Sequence, residues 1–298
     1  MHRKIPNLAK RMLNYINKPK RPPRDFRFDT MEAFLEFLAR ADIGAQIEKE
    51  KRIIEHSKNA EVKMKFFCTV CHTKVSPALC FNHDSGVGVS FREQPVCPKC
   101  GQNTRLRFMF WAVKREFSSI KSETIYIQEQ VTSFFDLLQN HFPDITGSEF
   151  LGNDVAPGQL INGIRNEDCH RLSFPDNSIG LYISNDIFEH IPDVKAAFAE
   201  AKRVLAPQGV LLFSTPFSPY TKKTIKRADY EGEQLVHYEP PRYHGNPLSG
   251  EGSLVFSDYG QDLFEILREC GFSQISILCS DDYKYGFYGR PVIFMAKK

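Results

Sequence analysis

Apolar and polar positions follow their most regular pattern between residues 166 and 217. Gly180–Ser184 is a short apolar run, as expected of a strand that is buried on both faces. Asp193–Leu205 instead repeats its apolar residues at helical spacing, and Pro207 follows as a helix stop. Val210–Ser214 is a second short apolar run. The pattern predicts strand, helix and strand, which is half of a doubly wound α/β sheet.

The same kinds of element are predicted on both sides of this stretch. Thr124–Gln128 and Ile145–Phe150 are typical of strands. Between them lies a predicted helix, Ser133–Asn140, in which Ser133 and Asp136 are spaced for a capping box. On the C-terminal side we predict a helix at Phe256–Cys270 and strands at Gln274–Cys279 and Val292–Ala296. An α/β domain is therefore expected over residues 120–298.

One segment of this domain, residues 216–255, is rich in proline and aromatic residues and is expected to depart from regular structure. Rigid turns that present aromatic and hydrogen-bonding groups are typical of a lid over a binding crevice. A purely structural insertion is the alternative. The start of the segment is basic, which suits a phosphorylated acceptor or a solvated helix, with cations at Lys222, Lys223, Lys226 and Arg227.

The N-terminal region, residues 1–62, divides into a basic arm and a helical part. Residues 1–24 contain eight lysines and arginines and no acid. A flexible arm is one interpretation, and an arm that contacts an anionic partner such as a phosphate-bearing lipid or sugar nucleotide is the other. Thr30–Lys58 has helical spacing, with Thr30 as its expected N-cap.

Composition narrows the class of protein. The chain has 298 residues, of which 42% are hydrophobic and 25% charged, so it can build a core and exceeds one typical domain. Its net charge of +3 argues against a dedicated nucleic-acid binder. No apolar run reaches the roughly 18 residues of a membrane span, and no apolar segment of a secretory signal follows the basic start.

Two C-x-x-C pairs carry the clearest metal signal. The chain has eight cysteines, and the pairs are Cys68 with Cys71 and Cys97 with Cys100. Four thiolates around one zinc ion form a closed structural site, so we expect a structural zinc, a zinc-ribbon module over residues 63–112 and a reducing, cytoplasmic location. Gly101 suits the turn after the second pair.

Three other interpretations of this module are weaker. Cys80 or His83, which lie between the pairs, would replace one ligand in an alternative site. A redox C-x-x-C is less favoured, because neither pair opens a thioredoxin-like βαβ unit. Arg105 and Arg107 alternate with apolar residues, which favours an ordinary strand with one wet face over a nucleic-acid-binding surface.

The central stretch also carries a combination of motifs. They are Asp168, LSFPDNSIG at Leu172–Gly180, DIFEHI at Asp186–Ile191 and RVLAPQG at Arg203–Gly209. Together they resemble the class I S-adenosylmethionine-dependent methyltransferases, in the small-molecule, type 11-like branch. The resemblance implies a Rossmann-like, seven-stranded sheet over about residues 122–298, with S-adenosylmethionine as cofactor.

The resemblance also implies a cofactor site at the carboxyl ends of the strands. Glu129 ends the first strand, and Glu149 ends the second at the spacing of an acid that accepts from ribose hydroxyls. Asp168 follows the third strand and would accept from the adenine amino group; Asp154 is a weaker candidate for the ribose. The full expected set is Glu129, Gln130, Thr132, Glu149, Asp168, Cys169 and Asn185.

One feature departs from the family. The turn at residues 129–132 has no glycine, although small residues there normally let the backbone approach the methionine part of the cofactor. The turn is similar to that of relatives with the same ribbon, which favours an enzyme. Asp186 and His190 follow the fourth strand and are the expected catalytic residues, with His190 either as general base or as a residue that orients the turn.

We therefore expect a methyltransferase that acts on a small-molecule or glycan-related acceptor. Two alternatives come from other classes of protein. One is a catalytically silent relative that binds a partner through the ribbon and crevice. The other is a nucleic-acid methyltransferase or binder steered by the ribbon and the basic arm, although SNDIF stands after the fourth strand where a base methyltransferase has an N-P-P-Y-like tetrapeptide.

Overall fold

The computed structural model describes Pro19 and residues 21–80, 88–118 and 124–298. The chain divides into two compact units, and each is discontinuous in sequence. The first holds the described residues up to Phe26, Glu36–Ala112 and Cys279–Val292. The second holds Arg27–Leu35, Val113–Leu278 and Ile293–Lys298. The domain bounds expected from the sequence, at residues 62, 112 and 120, stay a prediction.

The helices and strands of the described residues are numbered in chain order. The helices are α1 (Met31–Ala39), α2 (Ala41–Ser57), α3 (Thr104–Phe117), α4 (Ser133–Gln139), α5 (Val194–Val204) and α6 (Leu263–Glu269). The strands are β1 (Phe26–Phe28), β2 (Phe66–Cys68), β3 (Thr73–Val75), β4 (Ile125–Ile127), β5 (Thr146–Gly147), β6 (Leu160–Ile161), β7 (Ile164–Arg165), β8 (Ile179–Asn185), β9 (Leu205–Ser214), β10 (Ile225–Lys226), β11 (Ala228–Glu231), β12 (Gln234–His237), β13 (Tyr243–Asn246), β14 (Ser249–Leu254), β15 (Ser257–Asp258), β16 (Gln274–Cys279) and β17 (Val292–Lys297). Among these described helices, none has the length and apolar character needed to cross a membrane.

The second unit is built on a mixed sheet of seven strands. Their order is β1-β16-β17-β9-β8-β4-β5. β4 pairs in parallel with β5 and β8, β8 pairs in parallel with β9, and β17 pairs antiparallel with β9. The predicted α/β class, the seven strands and the strand, helix, strand order of residues 166–217 are confirmed.

The expected third strand, which should precede Asp168, does not join the seven-stranded sheet, because β7 pairs with β6 in a separate hairpin. Asn166 makes only an isolated parallel bridge to Glu149. Its side chain instead accepts from the backbone N–H of Leu151 at 2.7 Å and donates to the carbonyl of Val155 at 2.6 Å. These two hydrogen bonds stabilise the connection between β5 and β7, and they do not extend the sheet. The seventh strand is β1, at the opposite edge of the sheet.

Apolar side chains on α5 pack against the centre of this sheet. The helix begins with an Asp193 side chain that accepts from the Ala196 N–H at 3.0 Å. Phe198 is fully buried, and its ring lies 4.5 Å from that of Phe188 and 5.5 Å from that of Phe213, between centroids. Phe213 in turn stacks on Phe294 of β17 at 5.2 Å. This aromatic cluster fixes the helix over β8 and β9, the strands that lead into the candidate site.

Residues 216–255 contain more regular structure than expected. β11 pairs with β12, β13 with β14, and β10 with β15, all antiparallel. The prolines that argued against strands lie in the connections between them. The basic start of the segment is not a helix, and three of its four cations have acidic partners. Lys223 lies 3.2 Å from Glu265, Lys226 lies 2.6 Å from Asp229, and Arg227 lies 2.9 Å from Asp258.

Two further predictions about secondary structure are wrong in part. Arg105 and Arg107 lie on the helix α3 rather than on a strand, and Arg107 is fully buried. The last helix, α6, begins at Leu263 rather than near Phe256, because Ser257 and Asp258 pair with β10. Thr30, by contrast, caps α1 as expected, by accepting from the Ala33 N–H at 3.2 Å.

Most of the basic arm lies outside the described residues, but its last two arginines are described. Within the first unit, Arg21 pairs with Asp282 at 2.8 Å, and Arg24 donates two hydrogen bonds of 2.7 Å to Asp281. Both carboxylates are nearly inaccessible to solvent. These two arginines therefore bind acids of their own unit.

The packing of α5 predicts that Phe198→Ala lowers the free energy of unfolding by about 3–5 kcal/mol, because the substitution leaves a cavity beside the rings of Phe188 and Phe213. Urea unfolding followed by circular dichroism measures the change. Lys195→Ala on the same helix is the control, since its pair with Glu269 is exposed and is worth at most about 1 kcal/mol. Equal losses in the two variants would contradict the assigned core.

Candidate functional site

The candidate site lies where three neighbouring parallel strands end. Ile127 of β4 pairs with Gly147 of β5 on one side and with Ile183 of β8 on the other. Residues two positions further along these strands are therefore in register. They are Glu129, Glu149 and Asn185. Parallel strands place their carboxyl ends at one edge of a sheet, where α/β proteins bind their ligands.

Glu129 is held by two neighbours. Its Oε1 accepts from Nδ2 of Asn185 at 2.6 Å, and its Oε2 accepts from the hydroxyl of Thr132 at 2.6 Å. The remaining polar atom of Asn185, Oδ1, is buried and has no hydrogen-bond partner among the described residues. Such an acceptor is costly unless a donor reaches it. The ammonium group of a methionine moiety, with its three donors, fits this combination of a carboxylate and an unpaired amide oxygen.

The glycine-free turn after β4 is closed by side chains. Oε1 of Glu149 accepts from the backbone N–H groups of Gln130 and Val131, at 2.7 and 2.9 Å. Gln130 extends its own side chain to the β6–β7 turn, where it donates to the carbonyl of Gly163 and accepts from the N–H of Arg165. Oε2 of Glu149 accepts no hydrogen bond from the described residues and remains available to a ligand hydroxyl.

The glycine at this edge is Gly147 of β5, and the Phe135 ring and the Glu129 backbone approach it closely. A Cβ atom on Gly147 would come within 2.5 Å of the Phe135 ring and 2.7 Å of the Glu129 carbonyl oxygen. The helix that follows the turn begins one residue earlier than its predicted capping box implies. Thr132, not Ser133, is the N-cap, and its hydroxyl accepts from the Phe135 N–H at 3.1 Å.

Asp168 and Cys169 follow Asn166, which bridges to Glu149, and Asp168 itself bridges to Arg171 in a tight turn. One oxygen of Asp168 accepts from the backbone N–H of His170 at 2.9 Å and lies 2.9 Å from Nδ1 of that residue. Cys169 is buried, and burial raises the pKa of its thiol to about 12. A neutral thiol at this position offers apolar contact rather than a nucleophile.

Asp186 follows β8 directly and has a left-handed backbone, with φ of 53°. Its N–H donates to the carbonyl of Ser214, and its Oδ1 accepts from the hydroxyl of Ser214 at 2.9 Å. A non-glycine residue in this conformation is uncommon and is found often at functional sites. The contacts with Ser214, the last residue of β9, orient the Asp186 side chain.

A second group of polar side chains surrounds Glu189, which is completely buried. Its Oε2 accepts from the hydroxyl of Thr215 at 3.0 Å. Its Oε1 lies 3.7 Å from Nε2 of His190 and 3.5 Å from Nδ1 of His244. His190 also makes a 2.7 Å hydrogen bond between Nδ1 and the carbonyl oxygen of Leu254.

Sequence analysis selects only His190 from this group. Glu189 is part of the DIFEHI motif but is not singled out there, and His244 is only one polar residue of the expected lid. The adjacency of Glu189 and His190 in one motif is a local signal. The approach of His244 depends on the β13–β14 hairpin, and no local pattern predicts it.

The four cysteines of the C-x-x-C pairs converge in the first unit. The Sγ atoms of Cys68 and Cys100 lie 3.8 Å apart, as do those of Cys71 and Cys97, and all four lie within 4.8 Å of one another. Zinc–sulfur bonds of about 2.3 Å give a tetrahedron with edges of about 3.8 Å. The donor set and its spacing therefore fit a tetrahedral zinc ion.

The turns after the two pairs are alike. The N–H of His72 donates to the carbonyl of Cys68, and the N–H of Gly101 donates to the carbonyl of Cys97. His72 and Gly101 both have positive φ, of 51° and 71°, a conformation that glycine adopts without strain. Cys80 is exposed and stands outside the cluster, and His83 lies outside the described residues.

A buried arginine in the same unit needs a negative charge. Arg107 donates to the backbone carbonyls of Tyr285 and Gly286 at 2.9 Å, and its guanidinium lies 4.1 Å from the centre of the Phe66 ring. Among the described residues no carboxylate pairs with it. Burial lowers the pKa of Arg107, and the nearby cysteine sulfurs oppose this change. A zinc ion with four thiolates has a net charge of −2, which suits a buried cation.

Comparison with protein families gives one match to this part of the chain. Residues 136–213 match the family described as a methyltransferase domain. The matched segment runs from α4 to β9 and contains Glu149, Asp168 and Asn185, whereas Glu129 and its turn precede it. The predicted resemblance to methyltransferases is confirmed over this segment.

Two similar curated proteins carry related names. The malonyl-[acyl-carrier protein] O-methyltransferase of Halorhodospira halophila (strain DSM 244 / SL1) is 39% identical over 72 residues, which are 24% of this chain and 24% of that protein. Malonyl-[acyl-carrier protein] O-methyltransferase 1 of Coxiella burnetii (strain RSA 493 / Nine Mile phase I) is 39% identical over 66 residues, or 22% and 23% of the two chains. The chain thus spans about a quarter of the length of the curated relatives it matches.

Similar solved structures include two methyltransferases. The S-adenosylmethionine-dependent methyltransferase of Mesorhizobium loti is 17% identical, with a TM-score of 0.39 over 63% of this chain and 97% of that one. The 1,6-didemethyltoxoflavin-N1-methyltransferase of Burkholderia thailandensis, with bound 1,6-didemethyltoxoflavin and S-adenosylhomocysteine, is 12% identical, with a TM-score of 0.37 over 65% and 78% of the two chains.

The cap of α4 predicts that Thr132→Ala lowers the free energy of unfolding by about 1 kcal/mol, since the Phe135 N–H loses its acceptor. Thr132→Ser keeps the hydroxyl and is the matched control, expected to retain most of that stability. Urea unfolding of both variants measures the difference. A Thr132→Ala protein as stable as the serine variant would show that the hydroxyl does not cap the helix.

Proposed function

We propose that this protein transfers a methyl group from S-adenosylmethionine to a small-molecule or glycan-related acceptor. The observation that carries the proposal is the group of acceptor oxygens at the carboxyl ends of β4, β5 and β8. This group belongs partly to the segment that matches the methyltransferase family. Three side chains supply it: Glu129, Glu149 and Asn185.

We assign the cofactor contacts as follows. Glu129 and Oδ1 of Asn185 accept from the methionine ammonium group, and Thr132 keeps Glu129 in place. Oε2 of Glu149 accepts from the ribose hydroxyls, while its Oε1 and the Gln130 side chain hold the turn. Asp168 accepts from the adenine amino group, and Cys169 contacts the adenine end of the cofactor. The bound cofactor supplies a methyl group that is already activated as a sulfonium.

The chain itself has to position the acceptor and handle its proton. Asp186 and His190 follow β8 and are proposed to contact the cofactor or the acceptor. The carbonyl of Leu254 can only accept a hydrogen bond, so Nδ1 of His190 carries the proton and donates to it. Nε2 then carries a lone pair, and it faces Glu189. The names of the two curated relatives specify methylation at oxygen, and an oxygen acceptor has to lose a proton only where it is a hydroxyl.

We also propose that the four clustered cysteines bind one structural zinc ion. Four protein ligands leave no open position, so this zinc organises the ribbon module rather than taking part in chemistry. The buried charge of Arg107 and the 3.8 Å spacing of the sulfurs support the assignment. A reducing, cytoplasmic location is proposed on the same ground.

The cofactor assignment predicts that the protein binds S-adenosylhomocysteine and that Glu149→Gln weakens this binding about tenfold. The amide keeps the size of the side chain but replaces a charge-assisted hydrogen bond with a neutral one, at a cost of about 1–1.5 kcal/mol. Isothermal titration calorimetry on the full chain measures the affinity. Glu32→Gln, an exposed acid on α1, is the control and should bind as the unmodified protein does.

Absence of any heat or thermal shift with S-adenosylhomocysteine would favour the catalytically silent alternative. Undiminished binding by Glu149→Gln would instead remove this residue from the ribose contact. Salt-sensitive binding of RNA or DNA, without cofactor binding, would favour the nucleic-acid alternative.

The zinc assignment predicts that Cys97→Ser weakens the thiolate charge-transfer absorbance of the cobalt-substituted protein and lowers its melting temperature, because one of four ligands is lost. Cys80→Ser is the matched control. Cys80 is exposed and lies outside the cluster, so its substitution should leave both readouts unchanged. Intact charge-transfer absorbance in Cys97→Ser would contradict the assignment.

A further inference from the structure

The carboxylate of Glu189 has one oxygen that receives no hydrogen bond from the described residues. The side chain is completely buried, and Thr215 satisfies only one of its two oxygens. The other, Oε1, has no hydrogen-bond partner among the described residues. A buried carboxylate oxygen without a donor is costly, so Oε1 requires a cation or a proton beside it.

The two nearest nitrogen atoms make this need more specific. The hydrogen bond with Leu254 places the proton of neutral His190 on Nδ1, so Nε2 has a lone pair directed towards Oε1 of Glu189, 3.7 Å away. Nδ1 of His244 lies 3.5 Å from the same oxygen. Two acceptors that face each other in a buried place repel unless a cation lies between them.

The distances match those between ligands of one metal ion. Zinc–nitrogen and zinc–oxygen bonds of about 2.1 Å give tetrahedral edges of about 3.4 Å, longer than a hydrogen bond and close to the 3.5 and 3.7 Å seen here. The rings of His190 and His244 are nearly perpendicular, with centroids 5.1 Å apart. All three ligand atoms lie within 4.8 Å of one another.

The surroundings of the three residues also resemble a metal site. Metal-binding histidines commonly donate their second nitrogen to a carbonyl, as His190 does to Leu254, and metal-binding carboxylates are themselves hydrogen-bonded, as Glu189 is by Thr215. The Phe256 N–H donates to the carbonyl of Glu189 at 2.7 Å. The β13–β14 hairpin and the residues after it are thus tied to the turn that carries Glu189.

We propose that Glu189, His190 and His244 bind a divalent transition-metal ion of the zinc class through Oε1, Nε2 and Nδ1. Three protein ligands leave one position open, as in catalytic rather than structural sites. His190 and His244 are both partly exposed, so a ligand can reach that position. An oxygen atom of the methyl acceptor would occupy it, which rests on the proposed function, and Nε2 of His190 would then bind the metal rather than take the proton of the acceptor. The metal also joins His244 of the hairpin to the DIFEHI turn.

Cobalt titration of the metal-free full chain tests the proposal, because the two sites differ in their spectra. The cysteine site gives intense thiolate charge-transfer absorbance, whereas a site with two histidines and one carboxylate gives only weak visible bands. The unmodified protein should bind two equivalents of cobalt. His244→Ala should weaken the second site by more than about 100-fold, since even the loss of an outer partner costs 10–100-fold.

His237→Ala is the matched control: an exposed histidine on β12 in the same segment, which should still bind two equivalents. A single equivalent in the unmodified protein overturns the proposal and leaves Glu189 with a protonated histidine instead. Two undiminished equivalents in His244→Ala, with normal melting temperature, would place the second ion elsewhere and overturn it too. The titration uses cobalt alone and does not depend on folding of any other variant.

Titration of the same samples with S-adenosylhomocysteine separates this proposal from the proposed function. Two cobalt equivalents without cofactor binding would support the metal site and remove its role in methyl transfer. Cofactor binding with one cobalt equivalent would leave the proposed function standing and reject the metal site.

Discussion

The parallel pairing of β4 with β5 and β8 is the constraint on which the candidate site depends. Because Ile127 pairs with Gly147 and with Ile183, the residues that follow the three strands reach one edge in register. Burial of β8 and β9 under α5 holds this pairing rigid, since every residue of β8 from Ile179 to Ser184 is buried. The side chains of Glu129, Glu149 and Asn185 therefore start from one edge of the sheet, and hydrogen bonds with the turn after β4 hold the two glutamates there.

Side chains, rather than glycine residues, determine the conformation of the turn after β4. The Glu149 carboxylate accepts hydrogen bonds from two backbone N–H groups of the turn. Thr132 caps α4 and also donates a hydrogen bond to Glu129. A turn fixed in this way leaves one oxygen of Glu149 and one of Asn185 for a ligand. The metal group proposed around Glu189 lies after the same strand, β8, so both groups of side chains depend on where that strand ends.

Local sequence patterns predict part of this structure correctly. The apolar runs of β8 and β9, the helical spacing of α5 and the two C-x-x-C pairs can be read directly, because each depends on neighbours in sequence. The prediction of a strand at Arg107 is wrong because the alternation of arginines with apolar residues suits both a half-exposed strand and this helix. The contacts of Arg107 with two backbone carbonyls and the Phe66 ring come from residues distant in sequence. The hairpin that brings His244 to Glu189, and the loop bonds of Asn166 that replace a third strand, depend on partners distant in sequence. The roles of the site residues stay a prediction.

A crystal structure of the full chain with S-adenosylhomocysteine would test the central claim most directly. The account predicts electron density for the nucleoside at the carboxyl ends of β4, β5 and β8, with ribose hydroxyls within hydrogen-bond distance of Oε2 of Glu149 and the ammonium group beside Glu129 and Asn185. Density at another place, or an edge that stays empty at saturating ligand, would contradict it.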